Sequence, residues 1–246
     1  MDWRHWLSVV EARLFPPQCL VCTAAGMPDR DLCAGCLAAL PRLQVACPQC
    51  AEPLAAASDA PCGRCQHSPP AFARTRAALR YQPPVDQLIQ AFKFNGRLVT
   101  GRLLGELLCD ALQQAVPWSA RPEALMPVPL HPARLRQRGF NQSLELARPL
   151  ARHFDLPILT DVAVRVRNTQ PQSQLSYPFK AQNVQAAFAL QRPLAYRHIV
   201  LVDDVMTTGS TLRELAQVVK AGGAQHVEVW VVARAGGGSQ GTTGFA

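Results

Sequence analysis

Asp203 and Asp204 stand side by side, and Thr207-Thr208-Gly209-Ser210-Thr211 follows, so nine positions hold two carboxylates, four hydroxyls and a glycine. A loop that opens a helix aims unpaired backbone N–H groups outward, and the helix dipole favours an anion there. Gly209 permits a backbone conformation or a close approach that a side chain forbids. The four hydroxyls add donors, so the loop suits a phosphate monoester. Asp203 and Asp204 would repel that phosphate. They suit sugar hydroxyls, from which they accept hydrogen bonds, or a hydrated Mg²⁺. A ribose with a 5′-phosphate satisfies both halves of the run. Strand-end acids and a Ser/Thr helix cap account for single residues here, but not for the whole set at the carboxyl end of a strand.

A second chemistry is written in cysteine. Eight of the nine cysteines form C-x-x-C pairs: Cys19/Cys22, Cys33/Cys36, Cys47/Cys50 and Cys62/Cys65. The pairs are separated by ten, ten and eleven residues, close to a repeat. A two-residue gap turns two thiolates onto one tetrahedral Zn²⁺, so four pairs in register predict two structural zinc sites, a double zinc ribbon. In the simplest arrangement neighbouring pairs share an ion, and spacing leaves an interleaved pairing open. His67 is placed as a substitute ligand, but four thiolates leave it no vacancy. Cys109 stands among leucines and reads as a small core residue.

These groups need elements to hold them. His198 to Val202 is an aliphatic run that reads as a parallel strand buried on both faces, with the acidic pair at its end. Leu212, Leu215, Ala216 and Val219 recur at helical spacing behind the hydroxyl loop. Val227 to Val232 reads as a last buried strand, and Ala124 to Val128 as the first central one. Pro127-Val128-Pro129-Leu130-His131-Pro132 fixes an unusual loop, with Arg134, Arg136 and Arg138 at alternate positions after it. Leu144, Leu146, Ala147 and Leu150 continue into a helix, and Pro157 to Val166 reads as the next strand. Val85 to Phe94 and Leu98 to Leu112 are helical in pattern, with Lys93 and Arg97 flanking a turn as cap residues or functional cations. Phe72 to Tyr81 alternates and reads as an edge strand. The glutamine-rich stretch from Arg165 to Asn183 suggests a lid or a disordered loop.

The expected division is an amphipathic helix over 1–17, the double zinc ribbon over 18–68, an α/β domain over 71–235 and a disordered tail over 236–246. The ribbon has few large apolar residues, so metal should supply its folding energy. Residues 1–70 carry five Arg against six Asp/Glu, a net of −1; residues 71–246 carry twenty Lys/Arg against eleven Asp/Glu, a net of +9. The surplus therefore lies with the phosphate loop and suits a polyanion. No run approaches the ~18 uncharged apolar residues of a spanning helix, and the first fourteen lack a signal peptide's apolar core, so a cytoplasmic protein is expected.

The run from His198 to Leu212 resembles the 5-phosphoribosyl-1-pyrophosphate (PRPP) signature of type I phosphoribosyltransferases. That resemblance implies that Asp203 and Asp204 hold the ribose 2′- and 3′-hydroxyls and that Thr207, Thr208, Gly209, Ser210 and Thr211 cradle the 5′-phosphate. With the C-x-x-C ladder, Val128-Pro129-Leu130-His131, Arg138-Gly139-Phe140-Asn141-Gln142, Arg167-Asn168-Thr169-Gln170 and Asn183-Val184, nearly the whole chain resembles the ComF family. These are competence-associated proteins that join a zinc ribbon to a phosphoribosyltransferase-like parallel sheet flanked by helices, here expected to have five strands. The resemblance implies PRPP with Mg²⁺ as ligand, and Arg134 and Arg138, with Arg167 or Lys180, as its pyrophosphate partners. It also implies a part in DNA uptake, with single-stranded DNA and uptake or recombination proteins as partners. An active transferase with an unknown acceptor and a PRPP-sensing zinc-ribbon regulator are the alternatives; no residue reads as a general base.

Overall fold

A computed structural model describes residues 16–114, 121–167 and 186–236. The expected N-terminal helix, most of the expected lid, Lys180 and the tail beyond Gly236 lie outside these residues.

β5 (His198–Met206) and β6 (His226–Arg234) form the middle of a four-stranded parallel sheet of order β1-β6-β5-β2. β1 (Arg74–Arg80) lies outside β6, and β2 (Ala124–Pro127) outside β5. Ile199, Val200, Leu201 and Val202 are all fully buried, as an aliphatic run covered on both faces must be. The expected fifth strand is reduced to one parallel bridge, Leu125 to Ile158. Pro157 to Val166 therefore does not form one strand. The chain bends at Thr160 and Asp161, where the apolar run breaks, and continues as β3 (Ala163–Arg165), antiparallel to β4 (Phe188–Leu190).

α3 (Val85–Asn95), α4 (Leu98–Gln114) and α6 (Gln142–Phe154) cover one face, where Val200, Val202 and Trp230 meet Leu88, Phe92, Leu104, Leu108 and Leu146. The short α5 (Pro132–Arg138) precedes α6. α7 (Ser210–Ala221) covers the other face with Leu212, Leu215, Ala216 and Val219. Those are the positions whose spacing marked it as a helix. Cys109 is buried in the first core, and burial pushes its thiol up to about 12, consistent with an inert packing residue.

The cysteine-rich lobe carries two one-turn helices, α1 (Ala34–Ala38) and α2 (Gly63–His67). It joins the sheet directly: Arg42 bridges Leu79, the Arg80 N–H donates to Pro41 O at 2.7 Å, and the Leu43 N–H donates to Ala78 O at 3.3 Å. The outer edge of β1 is thereby partly paired, which removes a template for unwanted association. Cys19 belongs to the first core, whereas Cys47, Cys50 and Cys65 belong to the second, beside Met206 and Leu212.

Candidate ligand site and metal centres

β5 runs through the acidic pair rather than ending before it, because β6 is long enough to keep it paired: Asp203 stands opposite Val231 and Val205 opposite Ala233. The loop Thr207 to Gly209 follows, and Gly209 holds the helix N-cap at φ 78°. A Cβ at Gly209 would meet only the flexible end of Met206, so it is the positive φ that calls for glycine. Neither Ser210 nor Thr211 caps the helix. The Thr208 and Ser210 hydroxyls bond each other at 2.8 Å, and among the described residues the N–H groups of Thr208 and Gly209 have no acceptor. The loop thus presents donors at a helix N-terminus.

Asp203 is buried, and its Oδ1 accepts from Ser143 Oγ at 2.9 Å and from the Asp204 N–H at 2.9 Å. Ser143 is placed by the start of α6, where Asn141 caps the helix by accepting from the Ser143 N–H at 3.0 Å and donates its own amide to Val128 O at 3.1 Å. The Pro-rich loop after β2 is in this way tied to the acid. Asp204 Oδ2 lies 2.7 Å from Lys93 Nζ. Burial pushes the Asp203 carboxyl up, against the pull of Lys93, of the Ser143 hydroxyl, and of Arg165 and Arg138. Burial lowers the Lys93 ammonium to about 8, with Asp203 opposing and Arg138 adding to the drop.

Arg134 and Arg138 share one face of α5 through their i, i+4 spacing. Arg138 donates to Gln142 Oε1 at 2.5 Å and lies 5.7 Å from the centre of the Phe94 ring. Arg165 on β3 lies over the Phe188 ring at 5.4 Å. Burial lowers both guanidiniums, and Arg134 repels both, so Arg138, Arg165 and Lys93 converge on Asp203 with Arg134 beside the two arginines.

The fold therefore brings Asp203, Asp204, Thr207 to Thr211, Arg134 and Arg138 to one end of the sheet. Arg167 is exposed just past β3, and the cation that reaches Asp203 from that strand is Arg165. Ser143 and Arg165 were not among the site residues expected from sequence, and Lys93 stood there as either a cap residue or a functional cation. Lys93 between Phe92 and Phe94 was the available signal, since a helical lysine between aromatics is positioned to bury its stem.

The cysteines form two clusters of neighbouring pairs, Cys19/Cys22/Cys33/Cys36 and Cys47/Cys50/Cys62/Cys65, with the sulfurs of each within 4.8 Å of one another. Tetrahedral Zn–S bonds of about 2.3 Å separate sulfurs by roughly 3.8 Å. Cys22 and Cys33 Sγ lie 3.7 Å apart, and Cys50 and Cys62 Sγ 3.6 Å, so the residues fit the ion. The residue after the second cysteine of each cluster, Thr23 and Ala51, has positive φ, 64° and 54°. The same uncommon backbone recurs in both knuckles, as expected if metal geometry imposes it. Burial opposes ionisation of Cys19, but backbone N–H groups of Cys22, Cys33 and Val21 lower it to about 6. Cys47 falls to about 7 by the same balance of burial against N–H donors. Both then suit thiolate ligation.

Residues 141–241 match the family model of a phosphoribosyl transferase domain, and residues 10–66 that of a double zinc ribbon domain. The chain is 38% identical over 218 residues to DNA utilization protein YhgH of Escherichia coli, covering 88% of this chain and 89% of that one. It is 37% identical over 179 residues to Competence protein F of Haemophilus influenzae, covering 71% and 78%. Among solved structures, it is similar to the glutamine PRPP amidotransferase of B. subtilis complexed with ADP and GMP. That likeness is at 21% identity and a TM-score of 0.35, over 53% of this chain and 25% of the other. Among the described residues no helix is long and apolar enough to cross a membrane.

Proposed function

This chain belongs to the ComF family, and on that premise we propose that it binds PRPP or a related ribose 5-phosphate at the end of β5 and serves the use of incoming DNA. The observation that carries the ligand is the pairing of Asp203 and Asp204 with the Thr207–Thr211 loop, opposite the cations Lys93, Arg134, Arg138 and Arg165. Loop donors would hold the 5′-phosphate, the carboxylates the ribose hydroxyls, and the arginines the pyrophosphate. The oxygen donors of Asp203 and Asp204 suit Mg²⁺, which would neutralise pyrophosphate charge when it arrives with PRPP. The names of the relatives from E. coli and H. influenzae support the part in DNA use, with single-stranded DNA and uptake or recombination proteins as the partners to test.

Calorimetry decides the ligand. PRPP with Mg²⁺ should bind the native chain, and Asp203→Ala/Asp204→Ala should weaken it by roughly 100-fold, since buried ligand hydroxyls lose charged acceptors at about 1.5–3 kcal/mol each. Equal binding by the double variant would remove the assignment.

A second reading, an active transferase, is favoured by a cavity of about 430 Å³ adjoining Arg165 and lined by Pro129, Leu135, Phe140 and Val164. It gives an acceptor a place beside the arginines that would stabilise departing pyrophosphate. Release of pyrophosphate on addition of candidate acceptors supports that reading, and none across nucleobases and single-stranded DNA leaves the site a binding site.

A further inference from the structure

We propose that the second zinc site sets the conformation of the phosphate loop, with Arg234 as the positioning residue that couples them; this rests on reading Thr207–Thr211 as that loop. Arg234 ends β6 and is fully buried. Its Nε donates to the backbone oxygen of the zinc ligand Cys50 at 2.9 Å. Its Nη1 donates to Met206 O at 3.0 Å, to Thr207 O at 2.5 Å and to Ala235 O. Its Nη2 is bonded to the Glu52 carboxylate, which Arg64, between the ligands Cys62 and Cys65, also holds at 3.0 Å. One rigid guanidinium thus spans the metal knuckle and the first residue of the loop.

A second tie meets the other end of the loop. Arg213, in the first turn of α7, donates to Ser68 O at 2.8 Å and reaches Cys65 Sγ at 3.9 Å. Met206 and Thr207 on one side and the start of α7 on the other are therefore both braced against the second cluster. Among the described residues the lobe of the first cluster is tied to α4 instead: Arg30 pairs with Asp110 at 2.7 Å, and Arg102 with Asp31 at 3.4 Å.

The physical reason is direct. A buried guanidinium is tolerated only while its acceptors are fixed, because an unpaired buried charge is costly. Cys50 O and the Glu52 carboxylate are fixed by a knuckle whose own folding depends on metal. When the second site empties, Arg234 loses two of its acceptors, and the carbonyls of Met206 and Thr207 lose their shared donor. The loop then opens and presents its N–H groups less well.

Hydrogen exchange of the full-length, zinc-loaded chain tests this without any ligand. Chelating zinc while following its release should raise exchange at the amides of Val205 to Leu212. The rise should accompany loss of metal from Cys47/Cys50/Cys62/Cys65, in Cys36→Ser as in the native chain. Exchange there that stays unchanged after both ions leave overturns the proposal.

PRPP binding supplies the second readout. Arg234→Met, with both zinc ions retained, should weaken PRPP roughly tenfold or more, about 1.4 kcal/mol, and Arg234→Lys should recover part of that. Arg30→Met should bind as the native chain does. Equal affinity for Arg234→Met and Arg30→Met refutes the coupling. Failure of the native chain to bind PRPP instead sinks the ligand assignment and leaves the coupling to be decided by exchange.

Discussion

At the scale of single residues, the site is a balance of buried charges. Lys93 is the counter-ion of Asp204, and its ammonium titrates at about 8 because burial disfavours the charge. The unfolded chain keeps that proton to the ordinary lysine value near 10.4. Between these values the unfolded state binds more protons, so this group's contribution to stability rises with pH across that window. Anion binding has the opposite sign. PRPP affinity should fall as pH rises through about 8, as the ammonium is lost, and Lys93→Met should flatten that step in calorimetry from pH 7 to 9. Gly209→Ala must hold a positive φ that side chains disfavour, with Met206 shifting its flexible end. It should cost roughly 1–3 kcal/mol of stability in denaturant titration and abolish measurable ligand binding.

At the scale of elements, metal should do for the ribbon what a core does for the sheet. Purified protein should contain about two zinc ions per chain, one per four-thiolate cluster; a folded, metal-free ribbon would contradict this. The Pro41–Leu43 segment pairs with β1, so the ribbon also shields the edge of the parallel sheet. Stripping zinc should free that edge. Light scattering should then show association of the stripped protein, reversed by zinc, and a monodisperse metal-free sample would argue against the shielding.

Across the whole molecule, charge is divided as labour is. The ribbon half carries a net of −1 and the sheet half +9, five Arg against six acids and twenty Lys/Arg against eleven. A polyanion should therefore be drawn to the sheet half. Binding of a single-stranded oligonucleotide should weaken log-linearly with salt, and Arg136→Gln, exposed on α5, should reduce the slope by about 0.7 if it meets a phosphate. An unchanged slope would exclude Arg136 from the contact.

The fold class, the two zinc sites and the acid–hydroxyl run were readable from the chain because each is local: a period, a two-residue gap, a strand followed by a loop and a helix. The α3, α4, α6 and α7 faces emerged on the same grounds, and so did the edge position of β1. Local reading misplaced what depends on partners. It ended β5 too early, since only β6 shows how far pairing extends, and it drew one strand from Pro157 to Val166 where Thr160 and Asp161 turn the chain away. Zinc pairing needed the fold to choose among equal spacings. Lys93, Ser143 and Arg165 became site residues only when packing brought them to Asp203 and Asp204, and Ser143 does so across 60 positions. Arg234 reaches Cys50 across 184. Periodicity records which face of an element is buried, whereas a buried charge is defined by the groups that happen to surround it, and those are chosen by tertiary structure alone.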